Sequence, residues 1–219
     1  EGICNPLTLP VPGQPDKFLL IAHGTHWSQV TASNLLMVSL DGEVLEGEGV
    51  VEDTAFYIHA PIHRARPDLQ CIMHTHQTQT LALAMIEGGA IEPINQNALR
   101  YYDRVARDDN YNGLAFDDQE GRRLAKSMQG KNILMMANHG VLIGASSVAR
   151  AYDEIYYLER TAAAQILAMS TGRPLKLIPE EVCKETARQM MSDNMHRFAN
   201  DHFNALKRVL DREQPDYKD

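Results

Sequence analysis

Gln70-Cys71-Ile72-Met73-His74-Thr75-His76 is a short apolar run that closes on two histidines one residue apart. The β-type stretch, residues 70–74, reads as a strand, and the segment after it, residues 78–86, places Leu81, Leu83, Ala84 and Met85 as a buried helix would, ending at Gly88-Gly89. Strand followed by helix is the grammar of an α/β protein. Upstream, residues 18–22 and 35–40 are apolar runs, and Asp41-Gly42 leads into Glu43-Val44-Leu45 as a hairpin turn would. Residues 53–65 carry Ala55, Phe56, Ile58, Ile62 and Ala65 at helical spacing and stop before Arg66-Pro67-Asp68. Downstream, residues 117–128 form a polar surface helix, and two strands, 133–136 and 141–143, flank an Asn138-His139-Gly140 turn. A long helix, 146–170, follows, and an amphipathic tail, 179–211, ends the chain. No repeat or linker divides the sequence, so residues 1–219 read as one α/β domain with a helical tail at about 179–212.

Composition narrows the function classes. The net charge of -8 comes without a basic run, which argues against a nucleic-acid partner. The longest apolar runs fall far short of the roughly 20 residues that cross a bilayer, so no membrane partner is expected. Cys4, Cys71 and Cys183 are scattered and form no C-x-x-C, which fits reduced thiols in a cytoplasmic protein. The chain opens on Glu1-Gly2-Ile3 without an initiator Met, and further residues are expected upstream.

Positions i and i+2 of a strand share a face about 6.5 to 7 Å apart, from which two imidazoles can converge on one ion. His74 and His76 have that spacing where a strand gives way to a loop. His139 is the candidate third ligand, because Gly140 permits the tight turn that would bring its ring to the pair. Spacing alone leaves open that all three are polar residues at strand ends, bonded to backbone carbonyls.

Cys71 through His76, the upstream Ala65-Arg66-Pro67-Asp68, Ala137 through Gly144, and Val30-Thr31-Ala32-Ser33-Asn34-Leu35 with its Asp41-Gly42 turn together resemble the class II aldolase/adducin family. The similarity runs from about residue 5 to residue 168. It implies a three-layer α/β/α domain around a mainly antiparallel sheet, a homotetramer with sites near subunit boundaries, and His74, His76 and His139 as ligands of one divalent metal. Zinc is the first choice of metal, with iron, manganese or cobalt as alternatives. In the family's sugar-phosphate aldolases a catalytic Glu stands where this chain has Ala55. Their phosphate-holding residues correspond to His23-Gly24 and Asp53-Thr54, with Asn5 as a further substrate contact. A carboxylate at Asp53 would repel a phosphate, so the resemblance is to the adducin-like branch, with a non-phosphorylated substrate. His59, one helical turn after Ala55, and Tyr102, near the family's protonating tyrosine, are the candidate proton carriers. His63 reads as structural.

Three functions follow as expectations. The first is a metal-dependent lyase, of aldolase or decarboxylase type, acting on a small hydroxy-carbonyl or hydroxy-acid substrate through an enediolate that the ion stabilises. The second is an Fe(II)- or Mn(II)-dependent oxygenase using the same three histidines. The third is an adducin-like binding or scaffold domain without catalysis.

Overall fold

The structure is a computed structural model that describes residue 3 and residues 6–219, the side chains of residues 193–196 excepted. Its centre is an eight-stranded mixed sheet. In chain order the strands are β1 (Leu7–Val11), β2 (Gln14–Ile21), β3 (Leu35–Ser39), β4 (Val44–Glu46), β5 (Cys71–Thr75), β6 (Val105–Asp108), β7 (Ile133–Met136) and β8 (Gly140–Ala145), laid side by side as β4-β3-β2-β1-β5-β8-β7-β6. Every neighbouring pair is antiparallel except β6 with β7. The helices are α1 (Asp53–Ala65), α2 (Thr78–Ala84), α3 (Asp118–Ser127), α4 (Val148–Met169), α5 (Glu180–Met190) and α6 (Asp193–Glu213). The amphipathic tail is thus two helices, broken at Met191-Ser192.

The strands β5, β7 and β8 are apolar on both faces because helices cover both. Alternation sorts the side chains. Ile72, Leu134, Met136 and Leu142 pack with Ile58 and Ile62 of α1 and Leu124 of α3. Cys71, Met73, Met135, Val141 and Ile143 pack with Leu83 of α2 and Ile155 and Leu158 of α4. The result is the three-layer α/β/α sandwich expected from the sequence. A smaller cluster of Phe18, Leu20, Leu36 and Val38 against Phe56 and Ala60 seats the β2-β3 end on α1.

Two local features aim the elements at the site. Pro61 lies inside α1, where it lacks the N–H that would bond Tyr57, and α3 crosses at that point through Gly121. A Cβ at Gly121 would lie 2.0 Å from the Tyr57 carbonyl oxygen and 2.7 Å from Pro61 Cγ, so the close crossing of α1 and α3 needs glycine there. Between β7 and β8 the turn is residues 137–139, with Asn138 at φ 58° and the His139 N–H donated to the Met136 carbonyl. Asn tolerates that left-handed conformation better than most residues. Cys71 and Cys183 are buried free thiols, and burial lifts the Cys71 pKa to about 12, so it is inert at neutral pH. Among the described residues no helix is long and apolar enough to cross a membrane.

Candidate metal centre

His74 lies on β5 opposite Leu142 of β8 and shares the face that Ile72 presents to α1. His76 follows one residue beyond the strand's end, and His139 comes from the β7-β8 turn. The sheet brings the three rings together: centroids are 4.8 Å apart for His74 and His76, 4.7 Å for His74 and His139, and 5.2 Å for His76 and His139. One nitrogen from each lies within 4.8 Å of the others, a set that could hold a metal ion.

The electrostatics fit a cation. His74 Nδ1 lies 3.0 Å from the Val141 carbonyl oxygen and donates its hydrogen there, which leaves Nε2 as the basic nitrogen. That Nε2 faces His76 Nε2 at 3.0 Å, so a proton or a cation must reconcile the two. Burial, then the neighbouring His139 and His76, hold the His74 pKa well below the ordinary range. Burial and His76 likewise lower that of His139 to about 4, with Glu120 and Asp108 opposing. Both rings are therefore neutral at pH 7, the form that ligates metal.

Gly140 permits the turn to press on the His-Thr-His segment. A Cβ there would meet the Thr75 carbonyl oxygen at 2.5 Å and His76 Cδ2 at 2.8 Å. Gly140→Ala is expected to displace His76 or His139 and weaken zinc binding by roughly tenfold or more, read by competition with a chromogenic chelator. Unchanged affinity would show that the rings do not depend on this approach.

A cavity of about 390 Å³ opens over the three imidazoles, with Glu52, Ala55, Tyr111 and Glu120 among its walls. Glu52 caps α1. One carboxylate oxygen accepts from the Thr54 N–H, the other from the Ala55 N–H at 2.6 Å, and both accept from the Thr54 hydroxyl. Glu120 accepts from Arg123 at 2.7 and 2.8 Å, and Arg123 is in turn bidentate to buried Asp108. The Tyr111 ring lies 6.1 Å from that of His139. Ala55 does line the cavity, so only a methyl stands where the sequence lacks the carboxylate.

Glu120 and Tyr111 are not singled out by the sequence. Glu120 sits on a helix whose polar stripe reads as solvent-facing, and its only local signal is the i,i+3 pairing with Arg123. Tyr111 lies in a loop with no periodicity.

The other expected residues are dispersed. His59 is fully buried and does not line the cavity. The Thr8 hydroxyl bridges its Nδ1 at 2.7 Å and His63 Nε2 at 2.8 Å, donating to one ring and accepting from the other. Tyr102, half-buried beyond a 3-10 turn at Asn97–Tyr101, is absent from the cavity wall, while Tyr101 is buried and donates its hydroxyl to the Glu154 carbonyl. His23 and Gly24 are exposed on the loop after β2, and His23 lines a narrow pocket that shares Glu52 and Ala55 with the histidine cavity. Asp53 is exposed at the first residue of α1. Asn5 lies outside the described residues.

The buried pair has a consequence for stability. Burial lowers the pKa of His59 from the ordinary 6.5 to about 3 and that of His63 to about 4. A lowered folded pKa gives stability that is complete above pH 6.5 and is lost on acidification, because the unfolded chain binds protons that the fold refuses. The loss should reach about 1.4 kcal/mol per group per pH unit between pH 6.5 and 4. The urea midpoint at pH 5 should therefore lie clearly below that at pH 7.5. Equal midpoints would mean that the folded state takes up the protons.

The sequence profile described as Class II Aldolase and Adducin N-terminal domain matches residues 1–166. The crystal structure of an aldolase II superfamily protein from Pseudomonas syringae superposes over 100% of this chain and 88% of that chain, with a TM-score of 0.92 and 34% identity. Decarboxylase NovR of Streptomyces niveus is 31% identical over 193 residues, covering 88% of this chain and 71% of the relative. A 4-hydroxy-3-prenylphenylpyruvate oxygenase/4-hydroxy-3-prenylbenzoate synthase of Streptomyces roseochromogenus subsp. oscitans is 30% identical over 193 residues, covering 88% and 69%.

Proposed function

The chain belongs to the class II aldolase and adducin family, and from that premise we propose that it is a divalent-metal-dependent lyase of the aldolase or decarboxylase type. Its substrate is a small, non-phosphorylated hydroxy-carbonyl or hydroxy-acid. The observation that carries this reading is the convergence of His74, His76 and His139 on the floor of an open cavity. These three would hold one divalent ion, zinc first. When bound, the ion supplies Lewis-acid polarisation of substrate oxygens.

The chain's own groups do the rest. The Val141 carbonyl fixes the His74 tautomer. Glu52, Glu120, steered by Arg123, and Tyr111 are the wall groups able to take or give a proton, and in this reading they take the place that the sequence offers to His59 or Tyr102. His59, bonded to Thr8, then ties α1 to β1. The Glu52 and Glu120 carboxylates in the cavity wall, which would repel a phosphate, support a substrate without one. The chain works as one domain with α5 and α6 as its tail, in the cytoplasm and as a homotetramer. Leu114 and Phe116, 67% and 63% exposed beside the cavity, support an assembly surface there.

The oxygenase-type relative favours a second reading, in which iron occupies the same histidines and oxygen is consumed. Metal analysis of protein purified without added metal, paired with oxygen uptake and carbonyl-product assays on unphosphorylated hydroxy acids, separates the two. Cleavage without oxygen uptake supports the lyase. Iron occupancy with oxygen uptake overturns it.

A further inference from the structure

A second cavity, of about 430 Å³, adjoins the first, and His76 and Pro6 line both. It opens on the other face of β5. Met73 and Thr75 point to the α2-α4 side, opposite His74, and the chamber is lined there by Leu7 of β1, Tyr152 and Ile155 of α4, and the Trp27 side chain from the loop after β2. Its few polar groups, Thr75, Gln77 and Thr78, stand in chain order around His76, and the wall beyond them is hydrocarbon, indole and phenol ring.

We propose that this chamber receives the apolar side group of the substrate, and that the substrate is therefore a 2-hydroxy or 2-oxo acid carrying an aryl or bulky alkyl substituent. The inference rests on the three-histidine site proposed above and goes on to name the class of molecule that site takes. Its warrant is chemical. Thr75 Oγ1 and Gln77 Oε1, buried without a hydrogen-bond partner among the described residues, can each take a polar group close to His76. A polyhydroxylated chain would also press hydroxyl groups against Leu7, Met73 and Ile155, at a cost of roughly 1 to 3 kcal/mol for each group left unpaired. A ring or branched alkyl group gains from the same walls. The volume lies in the range of small-molecule sites, roughly 300 to 1,000 Å³, and far exceeds what a methyl or hydroxymethyl group fills. Met73 adds a side chain that adapts to irregular shapes. Trp27 is 42% exposed and would be covered by a ligand ring. His76 at the junction lets one molecule place its acid oxygens over the three imidazoles while its substituent lies in the chamber.

Trp27 is the only tryptophan in the chain, so its emission reports the chamber directly. The experiment titrates zinc-loaded protein with mandelate and with lactate, which share the 2-hydroxy acid and differ in phenyl against methyl, and follows Trp27 fluorescence beside calorimetry. Mandelate is expected to shift or quench the emission saturably and to bind about tenfold more tightly than lactate, which leaves the emission unchanged. Trp27→Ala should bring the two affinities within about twofold of each other, and Trp27→Phe should keep the preference. Equal affinities in wild type, an equal emission change with lactate, or no mandelate binding overturns the proposal. So does emission that follows protein concentration rather than ligand, since a second copy would then cover the chamber. Zinc calorimetry without acids tests the metal site separately: protein that takes up no zinc but still answers mandelate through Trp27 overturns that site and keeps the chamber.

Discussion

His139→Ala should lower zinc affinity by at least about a thousandfold and leave the purified protein with less than roughly a tenth of the wild-type metal content. The reason is geometric. His74 and His76 both belong to the β5 end, and the third nitrogen comes from a distant turn, between β7 and β8, that only the sheet brings into range. Two imidazoles alone hold an ion weakly. Turnover of any substrate should fall with the metal. Alanine is tolerable at this position because His139 is only half-buried and sits in a turn, so the variant should fold. Melting with and without a chelator provides the control: the chelator should lower the wild-type midpoint, since an ion that binds only the folded state adds roughly 2.7 kcal/mol at a hundred times its Kd, and should leave the variant unmoved. Equal metal content in both proteins would remove His139 from the ligand set.

The three histidines are legible in the sequence, through their spacing and through the motifs around them. Strand β5, helix α1 and the β7-β8 pair are legible for a related reason, a clear period in the apolar residues. Strand β1 is not. Leu7-Thr8-Leu9-Pro10-Val11 is hemmed by Pro6, Pro10 and Pro12, which read as loop, yet it fills the place between β2 and β5. Strand β6 is hidden because Val105-Ala106-Arg107-Asp108 mixes charge into a run of only four residues. Its ladder with β7 is the sheet's one parallel pairing, and the buried Asp108 serves Arg123 rather than the core.

The walls of the site are the hardest part to read. Periodicity reports which face of a helix is buried, and a cavity wall is neither core nor free surface. Glu120 therefore looks like an exposed charge, and His59, which the helical period places on the inner face of α1, bonds Thr8 instead of reaching the cavity. Ala55 changes meaning in this light. It removes one carboxylate from the wall, while Glu52 and Glu120 keep two others in it, each held by its own partners.

Asp153→Ala is expected to cost about 3 to 5 kcal/mol, the usual penalty for stripping one partner from a buried ion pair, and to lower the melting temperature by roughly 10 °C. Asp153 is 2% exposed on α4, and its two oxygens serve two elements. One accepts from Arg100 Nη1 at 2.6 Å, from the 3-10 turn at Asn97–Tyr101, and the other lies 2.8 Å from His202 Nδ1 on α6. Arg100 is itself 9% exposed and stacks its guanidinium 4.0 Å from the Tyr157 ring centroid. Without the carboxylate a buried cation remains that the ring alone cannot satisfy. Urea unfolding measures the loss, and a change below about 1 kcal/mol would show that water or a rotated Glu154 replaces the pair. The double variant Arg100→Met, Asp153→Leu should recover much of the stability, because exchanging both buried charges for hydrocarbon leaves only His202, part-exposed, to turn its Nδ1 to water. Asp153 also adjoins Tyr152 and stands two residues before Ile155, both walls of the apolar chamber. The single variant should therefore loosen mandelate binding beyond what its fraction of unfolded chain explains, and the double variant should restore both properties together.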